Sequence, residues 1–152
     1  MTGRGKERTM ENAPRKLVDW AEFARMRAML GADFIRILGY FREDGEKSVA
    51  RIEEAMQRRD ATALVIPAHT MKTEARQFGA RPLGDLAEEI EHAGRRAVES
   101  RIFPDHILPQ VVTLRQLYRD TMALFEQETN PLVARRPTFG RAAPSNQEFG
   151  RL

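Results

Sequence analysis

The stretch Ala68-His69-Thr70-Met71-Lys72-Thr73-Glu74-Ala75-Arg76-Gln77-Phe78-Gly79-Ala80 separates into two faces when wound as an α-helix. His69, Lys72, Thr73 and Arg76 share one face, and Met71, Ala75 and Phe78 lie opposite. The apolar face can be buried. The imidazole, flanked by two cations and a hydroxyl, then has no packing duty and is free for chemistry.

Outward from this stretch, helical spacing continues in both directions. Upstream, Phe34, Leu38, Phe41, Gly45, Val49, Ile52 and Met56 recur every three or four residues. This predicts a long amphipathic helix whose other side is charged. Gly45 sits inside it at a cost of ~1 kcal/mol against alanine. Asp33 is placed to cap this helix and Asp60 to cap the one carrying His69. Pro67 removes one backbone donor there and predicts a kink just before His69. Before them, Asp19 with Glu22 fits a capping box for a short helix over Trp20–Leu30, which Gly31 ends.

Downstream, Gly79 ends the His69 helix and Pro82 suits the first turn of the next. That helix shows Leu83, Leu86, Ala87, Ile90, Ala93, Gly94 and Ala97 on one side, with His92 on the solvent side. Residues 100–107, with Pro104 and His106, read as a turn. Val111, Leu114, Tyr118, Met122 and Phe125 mark a last helix. Four long amphipathic helices with short connections predict an all-α, antiparallel up-down-up-down four-helix bundle with a short extra N-terminal helix.

Composition narrows the function. The 152 residues suffice for one domain with a real core, and there is no cysteine for a disulfide, thiolate metal site or nucleophile. Three histidines on separate elements, without metal-ligand spacing, argue against a metal site. Strand alternation, a Gly-rich phosphate loop and a G-x-S-x-G motif are all missing. No apolar run is long enough to span a membrane, and the N-terminus leads into no apolar signal segment, so a cytoplasmic place is expected. Five basic and two acidic residues in 1–16, and four basic and one acidic in 131–152, put +3 on each flank and leave −3 on the body. Basic flanks on an acidic body are only weak evidence for nucleic-acid binding, and no nucleic-acid partner is expected. Residues 1–16 are expected to be a mobile basic segment, 17–130 the bundle, and 131–152 a flexible tail. Two echoes in that tail, Phe139-Gly140-Arg141 and Phe149-Gly150-Arg151, suit a short linear motif.

Ala68, His69, Met71, Lys72, Gly79, Ala80, Leu83, Leu86 and Ile90 together resemble the pattern of histidine-containing phosphotransfer (HPt) domains. The resemblance covers about residues 17–128 and implies the same bundle. It also implies that His69 carries a phosphoryl group between receiver-domain aspartates in a two-component phosphorelay. A neutral imidazole, with an unperturbed pKa of ~6.5, is a competent nucleophile near neutrality. Lys72, read as an exposed ion one turn on, would offset phosphoryl charge, and Arg76 extends the positive strip. Thr73 stands where the family has glycine. It implies tighter partner selectivity or slower transfer, or a hydrogen bond to a phosphoryl oxygen.

Thr73, Arg76, Gln77 and Gly79, with Val65 and Ile66 as an apolar border, are the expected binding residues. Shading by neighbouring helices would instead make Val65 or Ile66 core. The implied partners are response-regulator receiver domains and a hybrid histidine kinase, with the chain a monomer. No cofactor is expected, since magnesium belongs to the receiver. The chain reads as a stoichiometric intermediate, not an enzyme. The competing reading is a helical interaction module that binds and regulates a receiver without carrying phosphate.

Overall fold

The computed structural model describes residues 16–132. The expectations for residues 1–15 and 133–152, including the Phe139 and Phe149 echoes, lie outside the described residues. Five α-helices follow in order: α1 (Trp20–Leu30), α2 (Phe34–Arg58), α3 (Ala61–Gln77), α4 (Arg81–Ser100) and α5 (Leu108–Thr129). Helices α2 to α5 form the antiparallel four-helix bundle, preceded by the short α1, and no strand occurs among the described residues.

The chain divides into two compact units, one ending at Thr121 and one beginning at Met122. In the first, an apolar stripe from each helix meets at the core. Phe34, Leu38, Phe41, Val49 and Ile52 come from α2, and Leu64, Ala68, Met71 and Ala75 from α3. Leu83, Ala87 and Ile90 come from α4, and Val111, Leu114 and Tyr118 from α5. A run of rings ties these together. Phe23 meets Phe34 edge-on at 5.2 Å, Phe41 stacks on Phe78 at 5.5 Å, and Phe41 meets Tyr118 edge-on at 6.5 Å. In the second unit, α5 continues to Thr129, where Thr129 Oγ1 donates to the Phe125 carbonyl at 2.8 Å. Asn130 follows, its backbone N–H donating to the Glu126 carbonyl at 2.9 Å.

Helix ends follow local chemistry. The Asp19 carboxylate accepts from Ala21 N–H and Glu22 N–H and starts α1, and Gly31 in a positive-φ conformation ends it. The capping box is only half made. Glu22 pairs with Arg25, while the Asp19 N–H donates to the Gly79 carbonyl at 2.8 Å. Asp33 makes no side-chain cap, because a 3₁₀ turn over Gly31–Asp33 runs directly into α2. Its carboxylate pairs with Arg36 at 3.1 Å instead. Gly45 answers to packing, since a Cβ there would stand 2.4 Å from Tyr118 Cε1. The Tyr118 hydroxyl passes over this gap and donates to the Arg42 carbonyl at 2.5 Å.

Candidate functional site

Asp60 starts α3 by accepting from Ala63 N–H at 3.2 Å. The helix then runs unbroken through the buried Pro67 to Gln77. Burial of Leu64, Ala68, Met71 and Ala75 fixes its rotation. His69 is thereby turned outward, with 53% of its side chain exposed.

Helix α4 runs antiparallel beside it. Arg76 lies against Gly84, His69 and Lys72 lie against Glu91, and Val65 lies against Gly94. This register places one acidic residue, Glu91, under the imidazole. Glu91 is 2% exposed. Its Oε2 lies 3.0 Å from His69 Nδ1 and accepts from Arg95 Nε at 3.1 Å and Nη2 at 2.7 Å. Its Oε1 lies 2.8 Å from Lys72 Nζ. Burial on its own would raise the Glu91 pKa. The hydrogen bonds from Lys72, Arg95 and His69 outweigh it and hold the carboxyl down at about 2. Glu91 is therefore a carboxylate throughout the neutral range and only accepts.

That fixes what the ring can do. A neutral His69 makes the bond to Glu91 only with its proton on Nδ1, which leaves the Nε2 lone pair unprotonated. A half-exposed imidazole with Nε2 as its basic nitrogen is chemically able to act as a nucleophile and is held in one orientation.

The sequence-predicted residues fall into three groups. Thr73 and Gln77 are exposed on the His69 face, as is Ile66 at 72%, while Val65 is half-buried. Lys72 is not the exposed ion expected of it. Only 18% of its side chain is exposed, because it is drawn onto the buried Glu91. Arg76 is not a free cation either. Its Nη2 donates to Asp85 at 3.0 Å and to Glu88 at 2.7 Å, and its stem crosses α4 where Gly84 leaves room. A Cβ at Gly84 would stand 2.8 Å from Arg76 Cγ. The continuous positive strip is thus largely neutralised within the protein.

Gly79, expected at the binding surface, is buried. Its φ of 81° ends α3, and a side chain there would meet the Asp19 carbonyl oxygen at 2.6 Å. It belongs to the junction with α1. Glu91 and Arg95 are the residues that sequence reasoning missed. Their i,i+4 spacing, at the edge of the Ala87, Ile90 and Gly94 stripe, was the available signal.

Among the described residues no group of three or more His, Cys, Asp or Glu is placed to hold a metal ion. No helix among them is long and apolar enough to cross a membrane.

A half-exposed histidine thus stands midway along one helix of the four-helix bundle. The sequence profile of the Hpt domain matches residues 36–127, more than half of the chain, and the chain belongs to the Hpt domain family. It is similar in structure to histidine-containing phosphotransfer protein B (HptB) from Pseudomonas aeruginosa PAO1. The TM-score is 0.65 at 25% identity, over 77% of this chain and 96% of that one. Comparison with curated proteins gives no match.

Proposed function

We propose that His69 is the phosphoacceptor of this chain and carries a phosphoryl group between receiver-domain aspartates in a two-component phosphorelay. The observation that carries this reading is the bond between the buried Glu91 carboxylate and Nδ1 of an otherwise exposed imidazole. Nε2 attacks the phosphorus of an aspartyl phosphate, the N–P bond forms, and the acyl O–P bond breaks. The receiver leaves as its aspartate carboxylate. No proton moves, and the ring becomes an imidazolium whose Nδ1–H stays on Glu91. The carboxylate therefore interacts more strongly with the product ring than with the starting one. The reverse sequence passes the group to a second receiver. Phosphoryl transfer asks the protein mainly for position and charge, and this site supplies both.

The chain acts as a stoichiometric carrier rather than an enzyme, as a monomer in the cytoplasm. Its partners are response-regulator receivers and a hybrid histidine kinase. Ile66, Val65, Thr73 and Gln77 form the surface a receiver covers. Thr73 adds a β-branched side chain one turn from the ring and narrows the set of receivers that fit. Lys72 and Glu91 set the charge beneath the ring.

The test is transfer from a phosphorylated receiver. Wild-type protein is expected to gain acid-labile phosphate, and His69→Gln none, with the same helicity and melting temperature. Equal labelling of the two proteins would place the acceptor elsewhere. Receiver binding without any label would favour a non-phosphorylated interaction module.

A further inference from the structure

Helix α4 ends on a left-handed residue. Arg101 has a φ of 61°, and its N–H donates to the Ala97 carbonyl at 2.7 Å. The chain then turns back beside the last two turns of α4 and enters the 3₁₀ turn Asp105–Ile107. Between helix and connection lies a pocket of about 310 Å³. Ala93 and Ala97 of α4 face Phe103 and Pro104 across it, and two small side chains on the helix leave the space. Ile102, 71% exposed, extends the apolar wall at the mouth. Arg59, at the end of α2, holds the connection in place. Its guanidinium lies 4.7 Å from the centre of the Phe103 ring and donates to Asp105. Walls fixed in advance lower the cost of binding.

The polar groups of this pocket are donors in search of an acceptor. Arg96 and His106 make no hydrogen bond or ion pair among the described residues. Arg59, Arg76, Arg95 and Arg115 by contrast each sit on a carboxylate. Ser100 Oγ accepts from Ile102 N–H at 3.3 Å, which leaves its own O–H to donate. No carboxylate lines the pocket among the described residues. Asp105 is engaged by Arg59, and Glu99 is exposed and makes no pair with Arg96. Donors around an apolar hollow fit an anion carried on an apolar body. One guanidinium with two further donors matches the single charge of a carboxylate, which a guanidinium binds through two parallel hydrogen bonds.

The pocket is separate from the His69 site. Nine residues at 100° each put Ser100 half a turn round α4 from Glu91. Glu91 faces α3 and His69, so the pocket opens on the other edge of α4. We propose that it is a binding site for a small carboxylic acid bearing one ring or branched alkyl group, with the apolar group between Ala97 and Phe103 and the carboxylate on Arg96. A ligand there leaves the His69 face uncovered, and the inference does not depend on which residue carries phosphate.

The experiment titrates the full 15N-labelled chain with 3-phenylpropionate and follows the backbone amides by NMR. Saturable shifts over residues 93–107, with those of His69 and Lys72 unmoved, are expected. The expected Kd is a few millimolar, what about eleven non-hydrogen atoms give at ordinary efficiency. 3-Phenylpropanamide, the same shape without the charge, is expected to bind at least about tenfold more weakly, and Arg96→Gln to weaken the acid by the same factor. Acetate, the charge without the apolar body, is expected not to saturate. Arg51→Gln, a change at an exposed arginine of α2, is expected to match wild type. Acid and amide binding equally, acetate binding as well as 3-phenylpropionate, or an unchanged Kd in Arg96→Gln would overturn the proposal. So would shifts centred on His69, or no saturation by 3-phenylpropionate.

Discussion

The imidazole of His69 has two nitrogens, and a buried carboxylate occupies one of them. In the proposed function, the choice of Nε2 as the reacting nitrogen therefore depends on Glu91 remaining charged. Replacing Glu91 by glutamine removes the acceptor charge and leaves Lys72 without its counter-ion. Glu91→Gln is expected to slow transfer at least about tenfold and to cost about 3 kcal/mol, the loss typical when one member of a buried ion pair is removed. Chemical denaturation beside transfer kinetics checks both.

The sign with pH follows from the depressed pKa. The stability Glu91 contributes is present above its unfolded value of 4.5 and is lost as pH falls toward about 2. Glu91→Gln is expected to lose that acid limb, and urea unfolding from pH 2 to 7 measures it. Ile66 makes the opposite case. At 72% exposure it has little packing to lose, so Ile66→Ser is expected to change stability by less than about 0.5 kcal/mol while weakening transfer from a receiver. A raised KM for the receiver, with phosphoramidate labelling unchanged, is the expected result.

At the scale of helices, the contact between α2 and α3 carries its own titration. Burial first, then the charge and hydrogen bond of Asp44 on α2, raise the Glu74 carboxyl on α3 to about 7. A group raised above its unfolded pKa of 4.5 contributes stability below that value and loses it as pH rises through about 7. Wild type is therefore expected to lose on the order of 1 kcal/mol between pH 5 and 8, after allowance for solvent screening of a half-buried group. Glu74→Gln is expected to flatten that slope in thermal melts. Gly45→Ala tests the seam of α2 with Tyr118. An added methyl 2.4 Å from the ring is expected to cost about 1–3 kcal/mol despite alanine's better helix propensity.

Much of this scale was legible in the sequence. Asp19, Gly31, Asp60 and Pro82 mark helix ends through local hydrogen bonds and backbone preference, which a sequence displays directly. Asp33 misled because a 3₁₀ turn took the place of its cap. Gly45 looked like a cost because the ring that fills its gap comes from a distant helix.

For the whole molecule, periodicity gave the number and faces of the helices, and the resemblance around His69 supplied their topology. The electrostatics of the site were much less legible. Whether a lysine or arginine is free depends on what the neighbouring helix places opposite it. The register of α3 against α4 sets Glu91 under Lys72, and Asp85 with Glu88 under Arg76. Neither pairing is visible along one helix. The expected cationic strip thus becomes a paired surface, Lys72 on Glu91 and Arg76 on Asp85 and Glu88.

The central claim is that Nε2 of His69 is the atom that carries the phosphoryl group, with Nδ1–H kept on Glu91. Protein labelled with 15N-histidine and phosphorylated by a receiver, then observed by NMR correlating 31P with the ring nitrogens, tests it directly. Coupling of phosphorus to Nε2 of His69, with Nδ1 protonated, is the predicted result. Coupling to Nδ1, or phosphate on His92 or His106 in place of His69, would contradict it.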